Sequence, residues 1–169
     1  METIVALSTP AGNSGVAVIR ISGDNSKNIL NKITRTNEEF EPRKMYLRRV
    51  YIDDYYDTCL VVYFRAPFSF TGEDVVEIQS HGGYFLAQKI IKECISLGCN
   101  LAGAGEFSKR AFINGKISVD QAEGIMDLIN AETDAQARIS SSLMHGMLKE
   151  RISTYQSTLT DILAETEAK

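Results

Sequence analysis

The chain lacks the features that would assign it to several large classes of protein. No apolar run approaches the ~18 residues of a membrane-spanning helix. Met1-Glu2-Thr3 carries no basic n-region, so a soluble, cytoplasmic protein without a signal or transit peptide is expected. There is no surplus of positive charge: 18 Lys+Arg against 22 Asp+Glu leave a formal net charge of −4, which argues against nucleic-acid binding through bulk charge alone. The three cysteines, Cys59, Cys94 and Cys99, form no CxxC pair. The Cys94/Cys99 spacing is not a usual zinc spacing, so reduced thiols packed as small hydrophobes are expected, with a redox or metal role as the alternative. His81 and His145, the two histidines, are far apart in the chain, which disfavours a His-based metal site. G-x-x-x-x-G-K-[ST] is absent, so these residues hold no nucleotide by a P-loop. Gly103-Ala104-Gly105 starts like a dinucleotide fingerprint, but Ser108 stands where the third glycine belongs. G-x-S-x-G is also missing.

What remains is a globular composition, 44% apolar and 24% charged over 169 residues. That is enough for one packed domain, or for one domain and part of a second. Charge divides unevenly. Residues 1–118 hold 14 basic and 13 acidic groups, whereas residues 119–169 hold 4 and 9. The pattern changes at the same place, and we set the domain boundary there.

The front part alternates strand and helix signals. Thr3 to Thr9, Val16 to Ser22, Met45 to Ile52, Thr58 to Phe64 and Asp74 to Gln79 are β-branched or apolar runs, read as strands. A helix capped by Asp24 or Asn25 is predicted to about Ile33, and a second from Tyr84 to Leu97, stopped by Gly98. Residues 35–44 are charged and loop-like. From about Glu106 the pattern is helical, interrupted by Asn114-Gly115, with a further helix over Val119 to Asn130. Asp134 to Lys169 contains Gly146 as its only glycine and no proline, and as one helix it would run about 54 Å. Leu148, Ile152, Tyr155, Leu159 and Ile162 step by four and three along it, the spacing of a helix–helix seam. We read this as the start of a helical domain; the other reading is a complete small protein whose last helix self-associates.

Three segments stand out chemically. In the first, Gly12 to Gly23, Arg20 sits in an otherwise apolar strand. A cation there needs a partner, an edge position or a ligand. In the second, Phe70 to Gly83, alternation sets Asp74, Val76 and Ile78 on one face and Val75, Glu77 and Gln79 on the other. It ends in His81-Gly82-Gly83, where a plain strand-to-helix turn or an anion site at the helix N-terminus would fit. In the third, Gly105 to Lys116, Lys109, Arg110 and Lys116 are mixed with Phe107 and Phe112, either a solvated amphipathic helix or a basic face for an anion.

Taken together and in order, these segments strongly resemble the tRNA modification GTPase family MnmE, also called TrmE. The matching residues are Thr3-Ile4-Val5-Ala6, Thr9-Pro10, Gly12, Gly15-Val16, Arg20-Ile21-Ser22-Gly23, Ser69-Phe70-Thr71-Gly72-Glu73-Asp74-Val75, Glu77, His81-Gly82-Gly83, Gly105-Glu106-Phe107-Ser108, Arg110-Ala111-Phe112, Asn114, Lys116, Gln121-Ala122-Glu123 and Asp127-Leu128-Ile129. The chain departs from the usual pattern at Asn13, Ser80 and Gly103-Ala104.

The resemblance implies an α+β fold: a mixed-sheet folate-binding domain like those of the aminomethyltransferases over residues 1–118, then the first helices of a helical domain over 119–169. In the family a Ras-like GTPase domain interrupts the helical domain. GTP, magnesium and potassium would act only through that domain, so no catalytic residue is expected among these 169 residues. The N-terminal domain is implied to form a homodimer and to bind a tetrahydrofolate derivative, 5-formyl- or methylene-tetrahydrofolate, as one-carbon source. With the flavoprotein MnmG (GidA) the family builds an aminomethyl-type group on C5 of the wobble uridine of tRNA. Carried over residue by residue, the resemblance marks Arg20, Glu77 and Lys116 as folate contacts. The rival reading is a stand-alone folate-dependent one-carbon transferase of similar fold. A cluster of Arg43, Lys44, Arg48 and Arg49 is read as a solvated loop and strand edge or as a local contact for tRNA.

Overall fold

β-Branched runs separated by turn residues pair into one mixed sheet, described over residues 2–167 by a computed structural model. The elements are β1 (Ile4–Leu7), β2 (Val16–Ser22), α1 (Ser26–Thr34), β3 (Met45–Ile52), β4 (Tyr55–Phe64), β5 (Val75–His81), α2 (Tyr84–Ser96), β6 (Asn100–Leu101), α3 (Glu106–Ile113), α4 (Val119–Ile129), α5 (Asp134–Met144) and α6 (Met147–Glu167). Six strands and six helices make an α+β fold. It divides into two units, Met1–Lys116 and Ile117–Lys169.

In the first unit the sheet order is β3-β4-β5-β2-β1-β6. All neighbours are antiparallel except β1 and β6, which are parallel. Period-two alternation sends Ile19, Ile21, Val61, Val76 and Ile78 to one face, where Ile29, Leu30 and Ile33 of α1 and Ala87, Ile90, Ile91 and Cys94 of α2 join them in the core. Each such aliphatic side chain contributes about 1.5–3 kcal/mol by leaving water. Cys59, Cys94 and Cys99 lie in this core as free thiols. Burial pushes all three up, Cys99 to about 12, so they pack as hydrophobes and offer no thiolate.

β2 and β3 have the expected limits, while β1 is trimmed to four residues. β4 starts three residues before the expected Thr58, because Ile52 pairs with Tyr55 and only Asp53-Asp54 make the turn. Asp53 takes the left-handed conformation (φ 50), which aspartate tolerates. β5 continues two residues past Gln79 to His81. β6 has no counterpart among the expected strands; its two residues hold no periodicity, and β1 defines it by pairing Ile4 with Asn100 and Val5 with Leu101.

The eight-residue α3 is too short to persist alone. One cation ties it down. The Arg110 side chain, 7% exposed, pairs with Glu73 and Glu106. Its Nη1 also donates to the carbonyl of Glu2 at 2.8 Å, and both Glu73 oxygens accept from it at 3.1 Å. Glu73 Oε2 takes a further bond from Ser22 Oγ at 2.7 Å, and Ser22 Oγ meets Thr71 Oγ1 at 2.7 Å. Helix α3, the loop before β5, the start of the chain and the end of β2 thus share one network.

The second unit is helical. Gln121 Oε1 accepts the Ser118 backbone N–H ahead of α4, and Gln136 with Thr133 forms a reciprocal capping box on α5. α4 and α5 approach closely at Gly124, where an added Cβ would lie 2.6 Å from the Met144 backbone nitrogen. The helical stretch from Asp134 does not run as one helix: α5 ends at Met144 and α6 begins at Met147, because Gly146 adopts φ +78, outside helical geometry. The seam residues Leu148, Ile152, Tyr155, Leu159 and Ile162 all fall on α6 and are exposed.

Two outcomes follow from these contacts. Arg110→Met leaves Glu73 buried without its cation and should cost about 3–5 kcal/mol in urea denaturation; adding Glu73→Gln should recover part of that loss, and full stability of the single variant would contradict the network. Gly124→Ala should lower the denaturation midpoint by the equivalent of about 1–3 kcal/mol through overpacking, while an unchanged midpoint would show that the α4–α5 approach tolerates a methyl group.

Candidate functional site

The sheet face opposite α1 and α2 carries the even-numbered side chains of β2 and the odd-numbered ones of β5. Register places Arg20 directly beside Glu77, with Ala6 of β1 beyond Arg20 and Val62 of β4 beyond Glu77. Arg20 therefore has its partner across one strand pair. Its Nε and Nη2 donate to Glu77 Oε1 at 2.9 and 2.7 Å. The pair is half-buried, with side-chain exposures of 27% and 18%. Two aromatic rings stand on the cation: the centroids of Phe70 and Phe107 each lie 5.7 Å from the guanidinium carbon.

Both Arg20 bonds fall on the same carboxylate oxygen. Glu77 Oε2 accepts no hydrogen bond among the described residues and remains available. A carboxylate held on a strand, with one oxygen occupied and the other open, is a prepared acceptor for an N–H donor.

Lys116 lies where α3 has ended. Its ammonium donates to the carbonyl of Pro67 at 2.9 Å, in the loop that also supplies Phe70. Asn114 Nδ2 donates to the Thr71 carbonyl of that loop at 2.7 Å. Gly72 fits between them at φ +79, where a Cβ would meet Lys116 Cγ at 3.1 Å and Asn114 Cβ at 3.2 Å. Arg20 and Glu77 thus meet directly, whereas Lys116 borders the loop that reaches Arg20 through Phe70. The spacing pattern did not single out Glu73 and Arg110 as a pair, nor Phe70 and Phe107 as walls on Arg20.

Further along β5, His81 Nδ1 and Asp57 Oδ1 are 2.6 Å apart, and Asp57 Oδ2 accepts the His81 backbone N–H at 3.0 Å and the Cys59 thiol at 3.4 Å. Gly82 then passes over the Ser14 carbonyl so closely that an added Cβ would lie 2.1 Å from it. α2 begins at Tyr84 behind Gly83, with no side-chain cap and no acid in its first turn.

Burial would raise the Asp57 carboxyl, but the His81 backbone and ring and the Cys59 thiol outweigh it and hold the group below its ordinary 3.8. Since the folded value is the lower one, the stabilisation is complete above the unfolded value and is lost as pH falls through the folded one. Wild type should therefore exceed Asp57→Asn in stability at about pH 5 and hold a smaller lead at about pH 3, below the ordinary 3.8. Urea titrations at the two pH values check this, and a lead that does not shrink in acid would contradict it.

The family model described as GTP-binding protein TrmE N-terminus matches residues 3–116, and the MnmE helical domain matches residues 119–169. The chain is similar to the tRNA modification GTPase MnmE of Sulfurimonas denitrificans, 46% identical over 170 residues covering 98% of this chain and 37% of that protein. The same-named protein of Helicobacter pylori strain HPAG1 is 43% identical over 98% of this chain and 36% of its own length. That of Wolinella succinogenes is 41% identical over 98% and 37%. The chain thus spans a little over a third of the length of these curated relatives. With both family models matched in order and whole-chain identity above 40%, the chain belongs to the MnmE (TrmE) family.

Proposed function

We propose that the chain is the folate-binding and dimerising part of a cytoplasmic tRNA-modifying GTPase, holding a tetrahydrofolate derivative at Glu77, Arg20 and Lys116. The observation that carries this reading is the Arg20–Glu77 pair, rigid on two strands, walled by Phe70 and Phe107, with Glu77 Oε2 open. A reduced pterin presents a ring N–H and an exocyclic amino group side by side, which match a carboxylate. Because Oε1 already carries two bonds from Arg20, a ligand that uses both oxygens requires Arg20 to turn away. That frees the guanidinium for the ligand's oxygens. Phe70 and Phe107 supply apolar surface for a flat ring, and Lys116 brings a second cation for carbonyl or carboxylate groups.

Bound there, the folate would supply the one-carbon unit for the group built on C5 of the wobble uridine, in concert with MnmG (GidA). GTP hydrolysis, with its magnesium and potassium, would belong to a P-loop domain, and these 169 residues contain no P-loop sequence. Dimerisation is supported by the sheet face away from α1 and α2, where Val16, Met45, Leu47 and Leu60 expose apolar surface.

Isothermal calorimetry with 5-formyltetrahydrofolate tests the site. Wild type should bind. Glu77→Gln, which keeps the shape and removes the charge, should bind about 10–150-fold more weakly, the equivalent of about 1.5–3 kcal/mol. A folded chain that takes up no folate, or one indifferent to the substitution, would sink the assignment.

A further inference from the structure

The basic cluster of β3 separates into spent and unspent cations. Lys44 is paired with Glu41, Arg48 with Glu38, and Arg43 donates to the Phe68 carbonyl. Arg49 and, from the end of α1, Arg35 have no acidic partner among the described residues. Both stand on tyrosine rings instead. The Arg49 guanidinium carbon is 4.7 Å from the centroid of Tyr56, and that of Arg35 is 4.1 Å from the centroid of Tyr51. Tyr51 and Tyr56 are register partners at the turn end of the β3–β4 hairpin, with centroids 5.8 Å apart and planes at 55°. The result is a run of four flat groups, Arg35, Tyr51, Tyr56 and Arg49. Tyr56 is 48% exposed. Of the nearby acids, Asp53 is paired with Lys89 and Asp57 with His81, while Asp54 lies in the turn itself.

We propose that this hairpin end is a stacking contact for a single-stranded RNA loop, resting on the reading that the chain serves tRNA modification. Guanidinium planes and phenol rings are the surfaces on which unstacked bases lie, and an unpaired guanidinium is also a two-pronged donor to phosphate. An acidic peptide would use the charges but leave the rings idle. A duplex would need many more phosphate contacts than two free arginines provide, on a chain of net charge −4. The contact therefore draws mainly on stacking and carries a shallow salt dependence.

The test uses the 169-residue chain and a fluorescein-labelled RNA stem-loop with an anticodon-like loop, read by anisotropy over a series of KCl concentrations. Wild type should bind. Tyr56→Ala should weaken binding by roughly 5–150-fold with the salt slope unchanged, and Tyr56→Phe should retain it. Arg35→Ala with Arg49→Ala should weaken binding and also reduce the salt slope by about 1.4. The proposal is overturned if wild type does not bind, if the variants bind as wild type does, if a fully paired RNA is bound equally well and weakened equally, or if the variants act by changing the sedimenting species. Folate calorimetry on the same variants separates the two ideas: retained folate binding with lost RNA binding supports a distinct contact, and joint loss counts against it.

Discussion

One buried guanidinium governs how the functional face is built. Arg110 meets two carboxylates and a backbone carbonyl with its side chain nearly closed to water. An isolated charge there would be prohibitive, so α3 and the loop before β5 are held in the one arrangement that satisfies it. That arrangement stands Phe107 and Phe70 on Arg20 and lets Lys116 and Asn114 close over Gly72. The network does little chemistry of its own. It makes a short helix and an irregular loop as definite in position as the strands beside them.

Arg20 and Glu77 show the complementary design. Their exposure is enough for solvent to screen the pair, so its contribution to stability is small. Its value lies in poise: two strands fix the carboxylate, the arginine loads one oxygen, and the other stays open. The carboxylate's position is thus set by folding, with Oε1 engaged by Arg20. Sheet register brings Arg20 and Glu77 together, whereas Lys116 is held on the Pro67 carbonyl of the neighbouring loop.

Much of the fold was legible. β2, β3, α2 and α4 follow from β-branched runs, helical spacing and glycine stops, since those signals lie in adjacent residues. Arg20 was legible as an unusual cation in an apolar strand, and the family likeness joined it with Glu77 and Lys116. Other features were not legible. β6 exists because β1 offers an edge. The break at Gly146 depends on one positive φ in a stretch whose composition favours helix. The early start of β4 follows from a hairpin register that neighbouring strands enforce. The two aromatic walls come from segments distant in sequence, and no local pattern links Phe70 to Phe107.

By itself the sequence determined the α+β class, the change of character near residue 118, the inward face of each long strand and the family. These depend on periodicity and on residues close along the chain. Only the tertiary structure decided which cations meet carboxylates and which lie over aromatic rings. Arg110 and Arg48 are consumed by carboxylates, Arg20 is half engaged, and Arg35 and Arg49 rest on rings. A cation's role depends on the acid that reaches it through space, and that distance is set by sheet register and loop packing.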